Sequence, residues 1–247
     1  MSKPIIWAHR GASKYAPENT MPAFDLARSM HADGVELDIQ LSKDGEIMVC
    51  HDEKLDRTSS GSGWLKDYAL SELKSMDFSN GMEEYKGVTI PTMEEVFDLL
   101  KDTGMTVNIE LKTGLFAYPG IERKIVEMVR EKGFEGKVIY TSFNHLSLEK
   151  IRLLDRNAKL GFLYMNGTNL RALLADKLKA NAINVPFHSL LHPGLLDECR
   201  ENGLEVNVWT VDDSAQLKIC EKCGVYAVIT NVPDKAARLF EKGVSDQ

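Results

Sequence analysis

Cysteine is scarce. There are four in 247 residues, and Cys50, Cys199, Cys220 and Cys223 show no disulfide-framework spacing. Cys220-Glu-Lys-Cys223 is a C-x-x-C without a second pair, at a predicted helix end, so neither a redox nor a zinc role is expected. Positive charge is also short. Thirty Lys and Arg against 37 Asp and Glu leave a net charge of −7, which carries neither a nucleic-acid footprint nor a polybasic membrane patch. No apolar run approaches the roughly 18 residues of a membrane span. The run at the N-terminus, Ile5-Ile6-Trp7-Ala8, is too short for a secretion signal. These absences predict a cytosolic protein with no nucleic-acid partner and no stable membrane association. Nor does any G-x-G-x-x-G open a helix after a strand, which argues against a dinucleotide-binding open sheet.

What is present is a regular alternation. Strand patterns start at Ile5, Val35, Thr106, Val138, Leu160, Ala182, Glu205 and Ala227, with helical patterns between them. Among the helices are Ile121–Lys132, Leu146–Arg156, a short one around Leu170–Ala180, and Ser214–Cys223. Thr20 with Pro22, and the capping-box pattern Thr92-Met-Glu-Glu95, mark helix starts. Alternating strands and helices call for a parallel sheet, and eight strands in a chain near the roughly 250 residues typical of the fold predict a TIM (β/α)8 barrel over residues 1–247. The pattern lapses from about 53 to 88, after a hairpin at Lys43-Asp44-Gly45 and a strand over Glu46–Cys50. That stretch is read as a small insertion between the second barrel strand and its helix.

In Gly34-Val35-Glu36-Leu37-Asp38-Ile39-Gln40, strict alternation sets Glu36 and Asp38 on one strand face. Two such charges about 4 Å apart repel by roughly 4 kcal/mol at an effective dielectric of about 20, so the face is either wet or holds a cation. The other unusual residues fall at the same end of the predicted barrel, where active sites of this fold lie. His9 and Arg10 follow strand one, Glu110 and Lys112 close strand three, and His51 follows the hairpin. Glu36, Asp38 and Glu110 form an oxygen-only donor set that favours Mg²⁺ or Ca²⁺ over zinc. Arg10 and Lys112 beside such an ion suit a phosphate, and His9 and His51 suit acid and base. Together they describe metal-assisted phosphoester hydrolysis.

His9-Arg10-Gly11, Ala16-Pro17-Glu18-Asn19-Thr20, Gly34-Val-Glu36-Leu-Asp38, Lys43-Asp44-Gly45, His51-Asp52 and Ile109-Glu110-Leu-Lys112 resemble, in order and spacing, the glycerophosphodiester phosphodiesterase family. Val206-Asn-Val-Trp209-Thr-Val and Ala227-Val-Ile-Thr-Asn231 resemble its closing strands. The resemblance implies an enzyme that hydrolyses small-molecule glycerophosphodiesters to glycerol 3-phosphate and an alcohol. It also implies one divalent cation on Glu36, Asp38 and Glu110, His9 and His51 as the acid/base pair, and Arg10 and Lys112 on the phosphate. Glu18 would approach the metal or the glycerol hydroxyls, and Phe143 and Trp209 would wall the pocket, Trp209 being equally readable as core. The alternatives are a lysophospholipase D or phosphoinositide-type phosphodiesterase on the same barrel, and a non-catalytic metal-binding barrel. An enolising barrel fits less well, because the charged residues cluster on strands one to three. Head group, choice of ion, which histidine is the acid, direct water attack or a cyclic phosphate formed by the glycerol 2-hydroxyl, and monomer or homodimer stay open at this point.

Overall fold

The computed structural model describes residues 3–165 and 178–241. Its strands are β1 (Ile5–His9), β2 (Gly34–Leu41), β3 (Ile47–Val49), β4 (Thr106–Leu111), β5 (Val138–Ser142), β6 (Lys159–Leu163), β7 (Ala182–Pro186), β8 (Glu205–Trp209) and β9 (Ala227–Thr230). All but β3 pair in parallel, in the order β1-β9-β8-β7-β6-β5-β4-β2, and β1 pairs back onto β2. The sheet is therefore a closed eight-stranded barrel, as the alternation predicts. β3 is the hairpin strand, antiparallel to the end of β2 with Ile39 opposite Val49.

Alternation along β2 explains how the barrel is both packed and polar. Val35, Leu37 and Ile39 join the large apolar cluster that also contains Phe24, Val96 and Phe97 of the surrounding helices. Glu36, Asp38 and Gln40 take the opposite face and are equally buried. A layer of polar side chains lies on that inner face: Thr141 donates to Asn108 Oδ1 at 3.0 Å, and Asn207 Nδ2 donates to Asn184 Oδ1 at 2.8 Å.

The helix ends follow local chemistry. At Met93–Leu100 the expected capping box forms: Glu95 N–H donates to Thr92 Oγ1 at 3.2 Å and Thr92 N–H to Glu95 Oε2 at 2.8 Å. At Met21–Ser29, Thr20 takes the cap position without the cap bond, and its hydroxyl donates to the Pro17 carbonyl at 2.6 Å. The helix expected around Leu170–Ala180 lies mostly outside the described residues. Among the described residues no helix is long and apolar enough to cross a membrane. Between β3 and Met93, Leu55, Leu65, Leu73 and Phe78 bury one another with Met48 and Ile90 in a separate small cluster. The apolar side chains of that segment are thus largely consumed by its own packing.

Gly34 starts β2 in a position where a side chain has no room. A Cβ there would lie 2.3 Å from the Thr106 carbonyl oxygen and 2.7 Å from Trp7 Cδ1. Alanine must push neighbouring strands apart, so we expect Gly34→Ala to cost about 1–3 kcal/mol, as overpacked cores do. Denaturant unfolding checks this, and an unchanged midpoint would show that the β1–β2–β4 seam opens freely.

Candidate active site

The strand register brings the predicted residues to one mouth. His9 pairs with Glu36 across β1 and β2, Asp38 with Glu110 across β2 and β4, and Glu110 with Thr141 across β4 and β5. Glu36, Asp38 and Glu110 each present a carboxylate oxygen within 4.8 Å of the others, and all three are buried. Burial, then the charges of Asp38 and Glu110, push the Glu36 carboxyl well above its ordinary range. Burial and Asp38 likewise raise Glu110, against the pull of Lys112. For Asp38 burial is outweighed by Arg10, His51, Lys112 and Asn19, and its carboxyl is held low.

The chain turns sharply to place the cations. Arg10 and Asn19 both take left-handed backbone conformations, φ +57° and +56°. That conformation lets Arg10 N–H donate to the Glu36 carbonyl at 2.8 Å and to Glu36 Oε2 at 3.1 Å. Asn19 N–H in turn donates to the Arg10 carbonyl at 2.9 Å, and Asn19 Nδ2 to Asp38 Oδ2 at 2.9 Å. Left-handed backbone at two non-glycine residues costs energy and recurs at functional sites. Gly11 follows at φ +81°, where a Cβ would stand 2.6 Å from the Ala23 backbone. The Arg10 guanidinium pairs with Glu18 at 2.7 Å and approaches Asp38 at 3.5 Å. Lys112 Nζ lies 2.8 Å from Glu110 and 4.0 Å from Asp38.

Each histidine has an oriented ring. His9 Nδ1 meets Asn231 Oδ1 at 2.7 Å, and its Nε2 is 3.9 Å from Glu36 Oε2. Burial, then the adjacent Arg10 charge, lowers its pKa to about 4. His51 Nδ1 meets Asp52 Oδ1 at 2.6 Å. Arg57, from the inserted segment, donates to Asp52 Oδ2 at 2.6 Å and to Glu18 Oε2 at 2.6 Å. A chain of hydrogen-bonded side chains thus runs His51–Asp52–Arg57–Glu18–Arg10 and ties the insertion to the barrel mouth.

His9, Arg10, Glu36, His51 and Glu110 form the polar wall of a cavity of about 330 Å³. Phe143, Leu163, Met165, Trp209 and Ile229 form the apolar wall. Phe143 and Trp209 meet edge to face, with centroids 6.3 Å apart. Trp209 also packs against the small cluster of Trp7, Ile139, Ala182, Ala227 and Ile229, so one ring borders both the cavity and the core. Asp38, Lys112 and Glu18 do not line the cavity. Glu18, expected near the metal or the glycerol hydroxyls, pairs with Arg10 and Arg57.

The donor set fits a divalent cation. Asp38 Oδ1 is buried without a hydrogen-bond partner, beside two carboxylates whose mutual repulsion an ion would relieve. Three carboxylates with no sulfur or imidazole among them suit a hard, oxygen-seeking ion.

Residues 9–235 match the model of the glycerophosphoryl diester phosphodiesterase family. The chain belongs to that family. A glycerophosphodiester phosphodiesterase of Caldanaerobacter subterraneus subsp. tengcongensis is 41% identical over 242 residues, covering 98% of this chain and 99% of that protein. One from Bacillus altitudinis is 36% identical over 240 residues, covering 96% and 98%. A phosphodiesterase from Oleispira antarctica, solved in complex with the product sn-glycerol-3-phosphate, is 28% identical with a TM-score of 0.88, covering 97% of each chain. As a member of this family, the chain is an enzyme, a phosphoric diester hydrolase.

Sequence reasoning missed several residues of this phosphodiesterase site. Asp52 stands in the quoted His51-Asp52 pair, yet its hold on the ring is not visible there. Arg57, Thr141, Asn184 and Asn231 carry no role in the sequence reading. Asn108 and Asn207 lie two residues before Glu110 and Trp209, and that period of two is a signal for the polar layer beneath the mouth. The positions of Arg57 and Asn231 depend on contacts 39 and 222 residues away.

Proposed function

We propose that this enzyme hydrolyses glycerophosphodiesters to glycerol 3-phosphate and an alcohol, with His9 and His51 as the acid/base pair. The observation that carries this reading is a cluster of three buried carboxylates, two of which, Glu36 and Glu110, line one cavity together with two oriented imidazoles and a guanidinium. Glu36, Asp38 and Glu110 would hold one divalent cation, Mg²⁺ or Ca²⁺. When bound, such an ion supplies Lewis-acid charge stabilisation to a phosphoryl oxygen.

The protein's own groups divide the remaining work. Arg10 lies on the cavity wall and offers a fixed cation to the phosphate, with Glu18 restraining its fork. Lys112 compensates the carboxylates from beside the cavity. His9, with its pKa lowered to about 4, is neutral at pH 7 and suited to take a proton from the attacking nucleophile, either water or the glycerol 2-hydroxyl, whose cyclic phosphate water would then open to glycerol 3-phosphate. His51, its ring held at Nδ1 by the Asp52 carboxylate, lines the cavity and is suited to give a proton to the departing alcohol. The apolar wall around Phe143 and Met165, both substantially exposed, offers the leaving group a non-polar surface. That feature keeps lysophospholipids in view as a second substrate class.

The test is release of glycerol 3-phosphate from glycerophosphocholine and glycerophosphoethanolamine, with Mg²⁺, with Ca²⁺ and with EDTA. We expect release that EDTA abolishes and one of the two ions restores. Cleavage of lysophosphatidylcholine in place of both would transfer the enzyme to the lipid-cleaving relatives. No turnover of any of these diesters would overturn the reading.

A further inference from the structure

We propose that Asp212 and Asn231 are positioning residues that fix the tautomer of His9, leaving the lone pair of its Nε2 toward the cavity. The inference rests on the proposed role of His9 and adds the structure that enforces it. Asn231 follows β9 and Asp212 lies in the loop after β8, while His9 ends β1. The three meet where the first and last strands close the barrel, Ala8 pairing with Thr230.

The two ends of an amide differ in chemistry but hardly in shape, so partners decide its orientation. Here Asp212 decides it. Its Oδ1 accepts from Asn231 N–H at 2.8 Å and from the Thr230 hydroxyl at 3.0 Å. Its Oδ2 sits 2.6 Å from the Asn231 amide nitrogen. A carboxylate only accepts, so the NH₂ end must face it; the flipped amide would set two oxygens together with no proton between them. Lys235 Nζ donates to the Asp212 carbonyl at 2.9 Å and fixes the backbone of that loop.

The remaining end of the amide, Oδ1, therefore faces His9 Nδ1 at 2.7 Å and Ser13 Oγ at 2.7 Å. The Ser13 proton is shared with the His9 carbonyl oxygen at 2.7 Å, and neither choice makes Asn231 Oδ1 a donor. An oxygen that only accepts requires the proton on Nδ1. In a neutral imidazole the lone pair is then on Nε2. Without Asp212, the amide has no reason to prefer this orientation, and His9 no reason to prefer this tautomer.

Nitrogen-15 spectra of the histidine-labelled, EDTA-treated protein read the tautomer directly, with His9 assigned by the signals lost in His9→Gln. We expect a protonated Nδ1 and an unprotonated Nε2. In Asp212→Asn the new amide keeps its oxygen toward Asn231 N–H and presents NH₂ to the Asn231 side chain, which must flip. The His9 proton then moves to Nε2, and kcat falls by roughly 10- to 100-fold, the range typical of lost orienting partners, with KM within about twofold. The double variant Asp212→Asn/Asn231→Asp restores an acceptor facing Nδ1, so tautomer and kcat should both recover. A wild-type His9 protonated on Nε2 overturns the proposal even if no variant folds. So does Asp212→Asn with unchanged tautomer and kcat, or a double variant no better than the single one. The expected tautomer in a protein without turnover of any glycerophosphodiester would instead defeat the functional reading and leave the positioning intact.

Discussion

His51→Ala is expected to lower turnover of glycerophosphocholine by roughly 10²- to 10⁴-fold, the usual contribution of a positioned acid or base, while the protein stays folded. The ring is about one-third exposed (31%), and its removal leaves Asp52 still paired with Arg57, so no buried group loses its only partner. His9→Ala should be as damaging to turnover. The two losses differ in kind, and the leaving group tells them apart. If His51 protonates the departing alcohol, a glycerophosphodiester of p-nitrophenol, which leaves without help, should recover most of the His51→Ala loss. The same substrate should recover little in His9→Ala, where the attacking nucleophile still lacks its base. Equal recovery in both variants would cancel this division of roles. Near-normal turnover in His51→Ala would remove His51 from the mechanism.

Glu36→Gln should make the metal-free protein more stable and the ion-supplemented one less responsive. Burial and the charges of Asp38 and Glu110 raise the Glu36 carboxyl well above 4.5. A carboxyl with a raised folded-state pKa contributes stability that is complete below about 4.5 and is lost as the pH rises through its folded value. Wild-type protein in EDTA should therefore weaken as the pH climbs from there toward neutrality, whereas the glutamine variant, neutral throughout, should show a flatter profile. An ion at 100 times its Kd adds about 2.7 kcal/mol to the wild type. In a chain of this size that is a rise in Tm of roughly 5–11 °C. The variant should lose most of that rise and much of its activity, with part of the activity regained at excess ion. A glutamine variant less stable than wild type in EDTA, with an undiminished response to Mg²⁺ and Ca²⁺, would show that Glu36 holds no ion.

Much of this was legible in the chain because it is written in short-range patterns. A period of two marks Val35, Leu37 and Ile39 as one face and Glu36, Asp38 and Gln40 as the other, and the β2 backbone obeys it without a slip. The capping box at Thr92 and Glu95 likewise needs only neighbours three residues apart. Thr20 shows the limit of such rules, since its hydroxyl found the Pro17 carbonyl instead of the helix end. Glu18 shows it again. Its motif marks it as a site residue, but its partner Arg57 comes from the insertion, where local pattern is weakest.

By itself the sequence determined the strand and helix alternation, the barrel it implies, and the carboxylates, histidines and cations at the strand ends, because side-chain direction along a strand follows from residue spacing alone. Only the tertiary structure decided which partners those groups would have. That Glu18 meets Arg57 depends on how the insertion packs on the barrel mouth, and which nitrogen of His9 is bonded to Asn231 depends on barrel closure. These contacts join residues 39 and 222 positions apart, and no local periodicity records a contact of that length.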